Sequence, residues 1–196
     1  MNGEQSRKLI EAAALDSSQL RRLVAETLSE TLIELAATIS AVIGSGGKLL
    51  ICGNGGSAGD SSHMATELIV RLTSARNRQA LPAIALSADS SIITACGNDY
   101  GFEQIFARQV QGLGKAGDVL ILISTSGNSA NLIKAAESAR KLNLLTVGLL
   151  GNDGGKLLSL CDKKLIVPHT STQRIQEEHI FLIHLLVELI ESDLCG

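Results

Sequence analysis

A chain of 196 residues is sized for one domain, large enough to bury about 70% of its unfolded surface, and no linker or internal repeat divides it. Hydrophobic residues make up 45% and aromatics 2%, so the core must be aliphatic, and the 19 glycines point to tight strand–helix turns. With 17 Lys and Arg against 20 Asp and Glu, the formal charge is −3, and there is no basic block to neutralise a row of phosphates, so no nucleic acid is expected as a direct ligand.

Residues from about Ser17 to Ile43 read as a long helix, part of a helical N-terminal region over about 1–45. From Leu32 to Ile43 it is apolar on almost every face apart from Glu34, Thr38 and Ser40. A helix apolar all round must be buried, and one small sheet cannot cover it, so a second subunit is expected there, the alternative being a helix wedged within one monomer. Lys48 to Cys52 reads as a strand. Ser57-x-x-Asp60 then matches a capping box opening a helix through about Thr73. Ala83 to Leu86 is a second strand, Ser90 to Cys96 a short helix, Gly97 to Gly101 a turn and Phe102 to Leu113 a helix. Asp118 to Ile123 is the most strand-like run. A helix over Ala130 to Lys141, a strand over Leu145 to Leu149, a short helix opened by Gly154-Gly155, a strand over Lys164 to Val167 and a helix over Gln173 to Glu191 complete the chain. This alternation predicts an α/β fold, a three-layer doubly wound domain spanning 1–196 around a parallel sheet of about five strands.

Two loops rich in glycine and serine, Gly53-Asn54-Gly55-Gly56-Ser57 and Ser124-Thr125-Ser126-Gly127-Asn128-Ser129, each follow a strand and precede a helix. Loops at the carboxyl ends of parallel strands share one sheet edge, so both can surround one anion. Backbone N–H groups at a helix start carry partial positive charge, so a phosphate can be held there without lysine. Neither loop contains one.

On the first-loop helix, His63 and Glu67 are four apart and share a face, expected about one turn above the cradle, with Arg71 continuing it. Near the C-terminus Gln176 and His184 lie on another helix. His184 sits inside the apolar run Phe181 to Val187, where a histidine is ordinarily a core residue with one hydrogen bond. A His/Glu pair on a half-exposed helix is, likewise, more often a solvated face than a metal site. A phosphate cradle together with a carboxylate and an imidazole nevertheless makes a sugar phosphate the expected ligand. The four cysteines are widely spaced, without a Cys-x-x-Cys pair, and no signal-like segment is visible, so a cytoplasmic location is expected. No apolar stretch reads as the roughly 20 residues of a membrane helix, and no membrane partner is expected.

The strings CGNGGSAGDSSHMATE, PAIALS, GNDYGF, GDVLILISTSGNSANLIKA, NDGGK and RIQEEHIFLIH, in this order, resemble the SIS (sugar isomerase) domain and, within it, the bacterial phosphoheptose isomerases. The resemblance implies a flavodoxin-like fold and substrate contacts from Asn54, Gly55, Gly56, Ser57, Asn98, Asp99 and Gln176. Ser124, Thr125, Ser126 and Ser129 would hold the phosphate. It implies Glu67 as base and His184 as acid, zinc held by His63, Glu67, Gln176 and His184, and a homotetramer with active sites between subunits. The implied reaction interconverts sedoheptulose 7-phosphate and D-glycero-D-manno-heptose 7-phosphate, toward ADP-heptose for lipopolysaccharide. The main alternative is a non-catalytic SIS-domain protein that binds DnaA in replication initiation, for which an acid–base pair has no task. An enzyme acting on an aminosugar phosphate is a second alternative.

Overall fold

The protein is described by a computed structural model covering residues 1–195. Helix α1 (Gly3–Gly44) leads into strand β1 (Leu49–Gly53), helix α2 (Gly56–Ile69) and strand β2 (Ala83–Ala85). Helix α3 (Ser90–Tyr100) follows, then a 3₁₀ turn, helix α4 (Ile105–Leu113), strand β3 (Val119–Ser124) and helix α5 (Ala130–Lys141). Strand β4 (Leu145–Gly151), a second 3₁₀ turn, strand β5 (Lys163–Val167) and helix α6 (Thr172–Cys195) close the fold. The five strands form one parallel sheet in the order β2-β1-β3-β4-β5.

Every residue of β1 and β3 is buried, as expected for parallel strands covered on both faces. Alternate side chains divide between two cores. Leu49, Ile51, Val119, Ile121 and Ile123 pack with α1, α2 and α6. Leu50, Cys52, Leu120 and Leu122 pack with α4, α5 and Cys96 of α3. The three predicted layers are therefore present. Asp118 joins the starts of the two central strands, its Oδ1 accepting from Lys48 N–H and its Oδ2 from Lys115 N–H.

Several local expectations are corrected. The N-terminal region is one unbroken helix of 42 residues, opened by a capping box between Asn2 and Gln5. Ser57 forms no capping box with Asp60: the N-cap of α2 is Gly55 at φ 56°, so Ser57 falls inside the helix and is buried. Helix α2 also stops at Ile69, before Arg71. The turn expected at Gly97-Asn98-Asp99 is helical; glycine within a helix costs only about 1 kcal/mol, and α3 ends where Gly101 takes φ 90°.

Helix α1 packs along α6. The Arg21 guanidinium donates to both carboxylate oxygens of the buried Glu178 at 3.0 Å and lies 4.1 Å from the Phe181 ring centroid, while Ser40 donates to Asp193. Leu32, Leu35 and Ile39 are thereby buried within their own chain, so Leu32 and Ile39 do not face a second subunit. The apolar side chains that α1 leaves outside are Leu9, Ile10, Leu15, Leu23 and Ile33. One window of α1 does have the length and composition to cross a membrane, contrary to the sequence expectation, and a third of it is buried inside the chain.

His179 of α6 is fully buried, donating from Nε2 to the Leu150 carbonyl at 3.1 Å, with Nδ1 lacking a partner. Burial pushes its pKa down to about 4, against a slight upward effect of the Leu150 bond. Below pH 6.5 the unfolded chain binds a proton that the folded chain refuses, so stability falls with pH until about pH 4. Chemical denaturation across this range should show a loss of about 3 kcal/mol that His179→Gln abolishes.

Candidate active site

The order β2-β1-β3-β4-β5 places a switch point between β1 and β3: β1 leads to α2 on one face of the sheet and β3 to α5 on the other. Their two loops therefore meet at the carboxyl edge with both helix N-termini converging. They enclose a cavity of about 290 Å³ lined by Asn54, Gly55, Gly56, Ser57, Ser124, Thr125, Ser126, Ser129, Thr172 and Gln176, among others. Larger hollows lie by α3 and α4, beside Pro168 and His169, along α1 and between α1 and α6, but none joins two helix starts. The cavity at the two loops is the candidate site.

Its shape is held by close contacts. Asn54 and Asn131 exchange two amide hydrogen bonds, Nδ2 to Oδ1 at 2.9 Å one way and 2.8 Å the other, tying the first loop to the start of α5. Gly127 takes φ 63°, and a Cβ there would lie 1.9 Å from the Gly154 carbonyl, so the second loop needs glycine at that point. A Cβ on Gly56 would lie 2.5 Å from Gln176 Nε2, which places the Gln176 amide over the start of α2. Ser124 Oγ accepts from Gly127 N–H at 3.0 Å, and Ser129, the N-cap of α5, makes no side-chain cap bond. The Ser129 hydroxyl is thus free to donate to a ligand, beside N–H groups that the helix itself does not satisfy.

A second cluster lies further along α2. His63 Nε2 and His184 Nε2 face each other at 2.8 Å, so one ring donates and the other accepts, and Glu67 Oε1 is 3.6 Å from His63 Nε2. His184 is exposed on the outer side of α6; the core histidine of that helix is His179. Asp60, one turn before His63, keeps a buried Oδ2 without a partner, and burial raises its carboxyl above the usual range, the nearby His63 acting in the opposite sense.

The two clusters are separate within one chain. His63 is seven residues and Glu67 eleven residues along α2 from Gly56, about 10 and 16 Å, rather than one turn. Gln176, at the cradle, is likewise eight residues or about 12 Å from His184 along α6, so a single chain does not gather the four expected zinc ligands. Asn98 and Asp99 are exposed at the end of α3, hydrogen-bonded to each other and not among the residues lining the cradle. Arg71 is exposed beyond α2. Among the described residues, no three His, Cys, Asp or Glu side chains form a ready metal site. The donor chemistry of His63, Glu67 and His184 suits zinc.

Within this doubly wound domain, with its lysine-free cradle and imidazole–carboxylate cluster, residues 15–151 match the SIS domain family. Phosphoheptose isomerases of Chlorobaculum parvum and Helicobacter hepaticus are 48% and 52% identical to the chain, over 94% and 87% of it and 89% and 85% of the relatives. The phosphoheptose isomerase structure from Neisseria gonorrhoeae superposes with a TM-score of 0.90 at 41% identity, covering 95% of this chain and 98% of that one. The chain belongs to the SIS-domain proteins and, within them, to the phosphoheptose isomerases; it is a sugar isomerase.

Asn131 escaped the sequence reading because its partner is 77 positions away. Replacing it by alanine leaves the Asn54 amide unpaired at a cost of about 1–3 kcal/mol. Asn131→Ala should therefore lower the thermal midpoint and weaken the binding of inorganic phosphate, measured by calorimetry. Unchanged phosphate affinity would show that the amide pair does not shape the cradle.

Proposed function

We propose that the chain interconverts sedoheptulose 7-phosphate and D-glycero-D-manno-heptose 7-phosphate, supplying ADP-heptose for lipopolysaccharide or a related surface glycan. The observation that carries this reading is the pairing of a phosphate cradle with a carboxylate placed beside two facing imidazoles. Relatives of high coverage bear the name phosphoheptose isomerase, which disfavours the replication-initiation alternative.

In this reading Glu67 removes the proton from C1 of the ketose, giving an enediolate, and a proton returns at C2. His184 exchanges protons with the substrate oxygens, and His63, in contact with its Nε2, sets which nitrogen carries the proton. Ser126, Ser129 and the first turn of α5 hold the phosphate, and Gln176 lies where it can touch the sugar. Binding of the remote phosphate then holds the reacting carbons in place.

An open seven-carbon chain with its phosphate at C7 is shorter than the roughly 16 Å from Gly56 to Glu67 along α2. The cradle of one chain is therefore completed by the acid–base cluster of another, in a homotetramer whose contacts include the outer apolar side chains of α1. Asn98 and Asp99, remote from their own cradle, would enter a neighbour's site in the same way. A zinc ion would be held by His63, Glu67 and His184, with Gln176 supplied by a neighbouring chain. Bound zinc polarises carbonyl and enolate oxygens. Three buried free cysteines suit a reducing cytoplasm.

Glu67→Gln keeps the shape but cannot accept a proton, so turnover should fall at least 10²-fold while phosphate affinity is kept. Turnover within tenfold of the unmodified protein would sink the assignment. Coexpressing Glu67→Gln chains with Ser129→Ala chains tests the shared site: mixed oligomers should regain activity that neither variant has alone, and failure to do so places both clusters' work in one chain. Zinc titration should give one bound ion per chain, lost in His63→Ala; equal uptake by that variant excludes His63 as a ligand.

A further inference from the structure

Between the ends of α2 and α6 lies a buried ion pair to which the proposed reaction gives no part. The side chain of Arg78, in the segment after α2, is 1% exposed, and that of Glu191 on α6 is 3% exposed. The guanidinium makes four hydrogen bonds and one further close charge contact. Nε and Nη2 each approach Glu191 Oε1 at 2.7 Å. Nη1 donates to the Leu68 and Gln79 carbonyls at 2.8 and 2.9 Å, and Nη2 also donates to the Glu67 carbonyl at 2.7 Å. Glu191 Oε1 in turn accepts from Leu72 N–H at 3.2 Å.

Glu67 and Leu68 stand in the last turn of α2, where carbonyls have no partner within the helix, so Arg78 caps that turn from outside. Glu191 is seven residues, about two turns, beyond His184 on α6. One guanidinium therefore joins the helix end that carries Glu67 to the helix that carries His184. A buried ion pair gains little stability once its desolvation is counted, but the fork of arginine specifies direction closely. We propose that Arg78 and Glu191 are positioning residues for the isomerisation, holding the carboxylate of Glu67 and the imidazole of His184 in register across two helices. The pair touches neither substrate nor cradle; it acts through the Glu67 backbone. This rests on Glu67 and His184 acting as the acid–base pair.

The test compares Arg78→Lys, which keeps the charge but cannot bridge three carbonyls and a carboxylate, with Glu191→Gln, which keeps the shape but removes the counter-charge. Small displacements of catalytic groups cost on the order of 10²-fold, so kcat should fall about 10- to 100-fold in both. KM and the affinity for inorganic phosphate should stay within about threefold, because the cradle is at the opposite end of α2. A purely structural pair would instead lower the thermal midpoint and leave kcat per folded chain unchanged, and that outcome overturns the proposal, as does an equal loss of phosphate affinity and kcat. Should Glu191→Gln fail to fold, Arg78→Lys decides by the same measurements. Glu67→Gln is assayed beside them: if it retains turnover, the acid–base reading fails; if it is inactive while both other variants keep the original kcat, only the positioning role fails.

Discussion

The first N–H groups of a helix have no carbonyl to bind within that helix, and here two helix starts, those of α2 and α5, are brought to one point. The rest of the site depends on that meeting. Strands β1 and β3 supply it because the strand order reverses between them and their following helices leave on opposite faces of the sheet. The reciprocal amide bonds of Asn54 and Asn131 then hold the two loops together across the gap.

Helix α6 has an equally broad influence, because successive faces of it meet different neighbours. Glu178 pairs with α1, Gln176 covers the start of α2, His179 reaches Leu150 at the end of β4, and His184 faces His63. A side chain at one end of α6 thus borders the cradle while one near its middle borders the acid–base cluster. The distance between them is set by helical rise and no rotamer change removes it. That rigidity supports the proposal that the two halves of an active site come from different chains.

Much of this was legible in the chain itself. Strand β3 was read to within a residue and α5 over its full length, because an unbroken aliphatic run and a serine-rich loop leave few alternatives. The cradle followed from glycine and serine spacing, and His63 with Glu67 from the four-residue period. What escaped depended on partners distant in sequence. Nothing near Asn131, Arg78 or Glu191 announces a role, since the side chains of Asn131 and Asn54 are paired across 77 positions and those of Arg78 and Glu191 across 113. The phase of α6 decides that His179 is buried and His184 exposed, and a run of apolar residues around both conceals that phase. Ser57 was misread for a related reason. A capping box needs serine before the first turn, whereas the tight turn at Gly55 starts the helix earlier.

No lysine or arginine lines the cradle: every donor there is a backbone amide, a hydroxyl or a side-chain amide. Such groups have no ionisation of their own near neutrality. The grip on a phosphate bound there would therefore follow the charge of the ligand, tightening as the ester loses its second proton near pH 6, instead of following any titration of the protein. Neutral donors also attract few counterions to the empty cleft, so added salt has little screening to exert there compared with a site built on charged side chains. A phosphate bound in this way would depend less on ionic strength than one gripped by lysine or arginine.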